Sequence, residues 1–152
     1  MQAYTPTRFC PNPPHSYFLI RANKHIVVSG ERLVYSCPMH KTISTDELKK
    51  RLDAGGADFV LVDVLSKEKY SARHVPGAIN IPETVDYAKT FEAALQVPSD
   101  REIIVYCSSG TCQASVRTAD ALEKAGYTNV VHYKDGIAGW EQAGFPFESA
   151  NA

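Results

Sequence analysis

No run of apolar residues in this 152-residue chain extends beyond a few positions, whereas a membrane-spanning helix needs about 20 in succession. A spanning segment is therefore not expected. Charge of one sign is also lacking: 16 Lys and Arg face 17 Asp and Glu, for a net charge of -1. Such a balance leaves no electrostatic footprint for nucleic acid or an anionic membrane surface. The opening residues Met1-Gln2-Ala3-Tyr4-Thr5-Pro6 lack both a basic segment and an apolar stretch of the kind a secretory leader requires, so a cytoplasmic location is expected. Four cysteines are too few for a disulfide-stapled scaffold, and in a reducing compartment they point to catalysis or metal binding. Internal repeats and low-complexity segments are missing as well. With 44% hydrophobic residues the chain has material for one ordinary core and no second large domain.

Two regions differ in character. Residues 1–41 form an arm and a small β-meander on this reading. The Cys10-Pro11-Asn12-Pro13-Pro14-His15 stretch cannot sustain a ladder or a helix, and short β-prone runs follow over Tyr17–Arg21, His25–Val28 and Arg32–Tyr35. Residues 42–152 form the main domain. Ser44 with Glu47 three positions later is a capping box that opens a helix carrying Leu48 and Leu52. Phe59–Val64 is a near-continuous apolar strand of the kind covered on both faces. Ala78–Ile81 is a shorter strand, Glu83–Gln96 a helix, Ile103–Tyr106 a strand, Gln113–Ala125 a helix ended by Gly126, and Val130–Tyr133 the last strand. Strands alternating with helices give an α/β fold with an open parallel sheet of about five strands and helices on both faces. Ligands in such sheets bind beyond the carboxyl ends of the strands.

Cys107 stands at such an end. Ser108, Ser109, Gly110 and Thr111 are small enough to turn backbone N–H groups inward, and the following helix adds its positive end. The expectation is a thiolate, with the thiol pKa brought below its usual value of about 8.5, so that Cys107 is a nucleophile. Cys112 lies five residues on, and the two sulfurs could meet if their Cα atoms lie within about 7 Å. Cys112 is either a small residue tolerated at a helix start or a resolving thiol. Asp63, at the end of its strand, is expected to accept hydrogen bonds from neighbouring loop backbone. A second constellation combines Cys10 and His15, spaced C-x4-H, with Cys37 and His40, spaced C-x2-H. Four N and S donors of this kind suit tetrahedral zinc or another soft metal; the competing reading is a plain β extension packed on the domain.

Three segments in order carry a family resemblance. The loop Cys107–Gln113, the segment Arg73-His74-Val75-Pro76-Gly77-Ala78-Ile79-Asn80 and the segment Gly136-Ile137-Ala138-Gly139-Trp140 together resemble the rhodanese, or sulfurtransferase, domain family over roughly Thr42 to Glu148. The resemblance implies that Cys107 takes a sulfane sulfur from a small-molecule donor as a persulfide and passes it to a thiol acceptor. It implies that Ser108, Ser109, Gly110, Thr111 and Gln113 form the substrate-binding loop, and that catalysis needs no cofactor. Loops of the family often carry basic residues where this one has Ser108 and Cys112, so a dianion such as thiosulfate lacks its counter-charge. A resolving Cys112 would make a thioredoxin-type reductant the partner. In the same family segment His74 is mainly structural, and Leu65 stands where an arginine commonly supports the loop. The related cell-cycle tyrosine phosphatases need arginine six residues after the cysteine, where this chain has Gln113. The alternative to an enzyme is a non-catalytic module of the same fold that senses metal or thiol state or docks a partner.

Overall fold

The computed structural model describes residues 40–150; the arm, the meander and the candidate ligands Cys10, His15 and Cys37 lie outside the described residues. In chain order the elements are β1 Lys41–Ile43, α1 Thr45–Asp53, β2 Phe59–Asp63, α2 Lys67–Ala72, β3 Ile79–Asn80, α3 Tyr87–Ala94, β4 Glu102–Tyr106, α4 Ala114–Lys124, β5 Val130–Tyr133 and α5 Gly136–Gln142. The strands lie in the order β1-β5-β4-β2-β3, and every pairing is parallel. This is the expected α/β architecture, an open parallel sheet of five strands. None of the described helices is long and apolar enough to cross a membrane.

The apolar runs of β2, β4 and β5 follow from helices on both faces. Along β4 the side chains alternate. Ile104 and Tyr106 enter one core with Leu48, Leu61, Val131, Tyr133 and Trp140. Ile103, Val105 and Cys107 enter the other with Val62, Tyr87, Phe91, Ala119 and Leu122. Trp140, the largest fully buried side chain, donates its indole N–H to the Pro146 carbonyl at 2.8 Å, which satisfies the polar edge of that ring in the core.

Differences from the sequence expectations have local causes. The Ser44 half of the capping box forms, with Ser44 Oγ accepting the Glu47 N–H at 3.3 Å. The helix expected over Glu83–Gln96 is confined to Tyr87–Ala94, because the Glu83 N–H bonds to the Val64 carbonyl at 3.0 Å and ties that residue to the sheet end. Edge strand β1 has only three residues, two of them exposed, too few to show a period. Helices α2 and α5, of six and seven residues, are likewise too short for amphipathic spacing to reveal them.

Two contacts fix the end of β4. The Tyr106 hydroxyl, on a fully buried side chain, accepts the Val75 N–H at 3.1 Å. On the other side, the N–H groups of Ile137 and Ala138 bond to the carbonyls of Cys107 and Ser108 at 3.1 and 2.9 Å. Gly136 permits this approach: its φ is +58°, and a Cβ there would lie 2.3 Å from the Cys107 carbonyl oxygen.

Tyr106→Phe is expected to strand the Val75 N–H in the core and lower stability by about 1–3 kcal/mol, read as a drop in the urea midpoint. An unchanged midpoint would show that the Val75 N–H has another partner. Gly136→Ala combines a disfavoured φ with a backbone clash, and its expected cost is about 2 kcal/mol or more. The same thermal or denaturant melt checks it, with displaced amide resonances at Cys107 and Ser108 as the local signature.

Candidate active-site loop

Because Cys107 follows β4 directly and shares the face of Ile103 and Val105, its side chain turns toward α4. His132 reaches the same face from the neighbouring strand, since its register partner is Val105 and parallel neighbours project to the same side. Helix α4 supplies Ser115 from its first turn. The three converge: Cys107 Sγ lies 3.2 Å from Ser115 Oγ, and Ser115 Oγ lies 2.8 Å from His132 Nε2. All three are buried, with residue exposures of 1%, 0% and 8%.

The loop distributes its donors between two sulfurs. Cys107 Sγ lies 3.6 Å from the Ser109 carbonyl and 3.5 Å from the Cys112 carbonyl, acceptors suited to a protonated thiol. Burial pushes the Cys107 pKa up, the adjacent Cys112 sulfur adds to that rise, and the Ser115 hydroxyl with the N–H groups of Ser115 and Ser109 opposes it; the net direction is upward. This reverses the expectation of an acidified Cys107, because the small-residue loop closes over the sulfur and desolvation outweighs the inward N–H groups. Cys112 behaves in the opposite way. Partial burial pushes its thiol up, but the Cys107 thiol, the Ala114 N–H and the hydroxyl and N–H of Ser108 outweigh it, and its pKa falls below the usual value. Cys112 is half-buried and unlinked to Cys107 by a disulfide. The loop is thus an asymmetric dithiol, with a sealed, weakly acidic sulfur and an accessible, more acidic one.

The remaining loop residues shape the turn. Ser109 Oγ and Thr111 Oγ1 are 3.1 Å apart, the Cys112 N–H bonds to the Ser109 carbonyl at 3.0 Å, and Gly110 passes beside Lys134. Gln113 is the residue before the first turn of α4, and its side chain makes no capping bond, so the helix begins one residue later than expected. Asp63 is fully buried, and its Oδ1 accepts the Leu65 N–H at 2.8 Å. Burial pushes the Asp63 pKa up, against the Leu65 N–H, the Tyr106 hydroxyl and His74. His74 stacks on Tyr70 with centroids 3.8 Å apart, and its Nδ1 is 2.9 Å from the Tyr70 carbonyl; it sits away from the loop contacts. Arg117 forks onto Glu83, with Nη2 at 3.0 Å, and Arg73 forks onto Glu141.

Of the four candidate metal ligands only His40 is described. Its Nε2 is 2.9 Å from Asp120 and its Nδ1 is 3.0 Å from Glu123, so both ring nitrogens face carboxylates of α4. The sequence reading missed Ser115 and His132. Their signals were a hydroxyl one helical turn past the loop and a lone polar residue in the strand Val130-Val131-His132-Tyr133, a position that requires a buried partner.

Residues 44–143 match the rhodanese-like domain family. The chain is 35% identical over 106 residues to an HTH-type transcriptional regulator of Mycobacterium tuberculosis, a match that covers 70% of this chain and 44% of the regulator. It is 34% identical over 102 residues to the probable adenylyltransferase/sulfurtransferase MoeZ of the same species, covering 65% of this chain and 24% of MoeZ. The chain therefore spans less than half of the length of these curated relatives. The rhodanese-like domain of the Anabaena protein Alr3790 superposes with a TM-score of 0.63 at 27% identity, covering 75% of this chain and 83% of that domain. With the sheet order, the cysteine after β4 and the α5 anchor on one side and the matched span on the other, the chain belongs to the rhodanese-like domain family.

Proposed function

We propose that the chain is a sulfurtransferase that carries sulfane sulfur as a persulfide on Cys107. The observation that carries this reading is Cys107 at the carboxyl end of a central strand, with the Ser109 and Ser115 N–H groups turned to its sulfur and a second thiol beside it. The likeness to the probable adenylyltransferase/sulfurtransferase MoeZ supports it. In the first step the Cys107 thiolate attacks the donor's sulfane sulfur. The Sγ–S bond forms, the donor's own bond to that sulfur breaks, and the electron pair leaves with the donor remainder. An external thiolate then attacks the outer sulfur and releases Cys107.

Cys112 offers a second outlet. Its thiolate can attack Cys107 Sγ, expel hydrosulfide and leave a Cys107–Cys112 disulfide, which a thioredoxin-type dithiol then reduces with two electrons. The more acidic, more accessible Cys112 suits this resolving role. Donors that are thiol persulfides fit the loop better than thiosulfate, since positions 108–113 contain no lysine or arginine and Arg117 is held by Glu83. The likeness to a transcriptional regulator favours one alternative, a module that reports thiol state to an attached partner. Under that reading the wild type forms the loop disulfide on oxidation but turns over no donor.

Cys107→Ser is expected to abolish sulfur transfer and leave the fold intact, because the change is nearly isosteric. Assay against thiosulfate, mercaptopyruvate, glutathione persulfide and a cysteine-desulfurase donor checks this, and activity above a few per cent of wild type would move the persulfide to another residue. Cys112→Ala is expected to accumulate stable persulfide on Cys107, whereas donor-treated wild type loses two thiols to the disulfide. Mass spectrometry of the loop peptide distinguishes the two states; equal persulfide retention would remove Cys112 from the cycle.

A further inference from the structure

The buried chain Cys107–Ser115–His132 does more than satisfy polar groups. We propose that Ser115 and His132 form a proton relay that deprotonates Cys107 as it attacks, with Ser115 as the link and His132 as the base. This rests on the reading of Cys107 as the nucleophile.

The argument begins with the sealed sulfur. A thiol enclosed by the loop and facing two carbonyl oxygens holds its proton at neutral pH, so attack needs a group that removes it in step with bond formation. Direct transfer to solvent is slow because the sulfur is buried. The one polar atom of a side chain outside the loop that touches Sγ is Ser115 Oγ at 3.2 Å among the described residues, and a hydroxyl can accept one proton while passing on its own. The next atom along is His132 Nε2 at 2.8 Å, a nitrogen able to accept. A structural role for Ser115 alone leaves unexplained why an imidazole occupies a sheet position flanked by valine and tyrosine.

Balanced, the step is a double transfer. The Cys107 S–H proton moves to Ser115 Oγ, the Ser115 O–H proton moves to His132 Nε2, and the sulfur attacks with the freed electron pair; the donor's leaving group departs with the pair of the broken bond. The imidazolium later returns its proton by the same route to a leaving hydrosulfide or thiolate. Burial pushes the His132 pKa down, and His40 and Lys134 push it the same way, so the base form prevails at neutral pH. The charged or titratable groups around the sulfur are Cys112 and the Arg117 guanidinium on α4. On the same helix Asp120 and Glu123 are taken up by His40.

The test uses the full chain in a Cys112→Ala background, so that Cys107 is the loop sulfur that reports. The rate of Cys107 alkylation by iodoacetamide, followed on the loop peptide by mass spectrometry, is measured against pH for that protein and with Ser115→Ala, His132→Gln or both added. With the relay intact, the rate rises on the acid side of neutrality as His132 loses its proton and is level through the neutral range. Each added substitution is expected to lower the neutral rate by about a hundredfold or more, to move the rise into the alkaline thiol range and to recover at high pH. The double substitution lowers it no further than either single one. A profile that keeps its position and merely scales, or a Ser115→Ala effect without a His132→Gln effect, overturns the relay. Should His132→Gln fail to fold, the ¹⁵N resonances of the unsubstituted His132 decide: an Nε2 that carries the hydrogen at neutral pH overturns the relay, and an unprotonated Nε2 supports it. Because alkylation needs no sulfur donor, a shifted profile with no persulfide on Cys107 would reject the sulfur-transfer reading and leave the relay standing.

Discussion

The site depends on the pairing of β4 with β2 on one side and β5 on the other. A central strand hydrogen-bonded along both edges has no freedom to slide, and a slip of one residue would exchange its two faces. Cys107 would then leave the α4 side, and His132 would no longer share a face with it. The same register that buries Ile103 and Val105 therefore aims the sulfur. Packing and chemistry are one constraint here, which explains why the strand contains no polar residue among Ile103–Tyr106 other than the Tyr106 hydroxyl held by Val75.

Burial sets a conflict between protecting the sulfur and ionising it. A sulfur inside a closed loop is shielded from stray thiols and water, but the same closure raises the thiol pKa. The loop answers by dividing its N–H groups between two sulfurs of different exposure and by placing a serine and an imidazole behind the sealed one. The familiar arrangement of an exposed acidic thiol with a buried partner thiol is thereby combined with a Ser–His pair in one small volume.

Much of the architecture was legible in the amino-acid order because strongly periodic elements announce themselves. Phe59–Val62 and Ile103–Val105 are apolar runs of the kind a doubly covered strand shows, and Ser44 with Glu47 marks a helix start through the hydrogen bond between them. The position of Cys107 followed from the strand-to-helix transition. The acidity of Cys107 did not, since it depends on how tightly the loop closes, which the small residues Ser108, Ser109, Gly110 and Thr111 do not declare. The pairing of Ser115 with His132 was equally hidden, because 17 positions separate them and only the crossover from α4 into β5 brings them together. Short elements such as α2 and α5 escape for a simpler reason: a helix of two turns has too few positions to show a face.

The anchor of α5 on the end of β4 carries a consequence for diversification. Ile137 and Ala138 hold the loop through the carbonyls of Cys107 and Ser108, groups that every residue type possesses. The grip is therefore blind to the side chains that follow. Residues 109–113 form an exchangeable cassette on a fixed mount, so a basic or thiol-bearing loop can be substituted there, changing what approaches the sulfur, without redesign of the sheet that aims it.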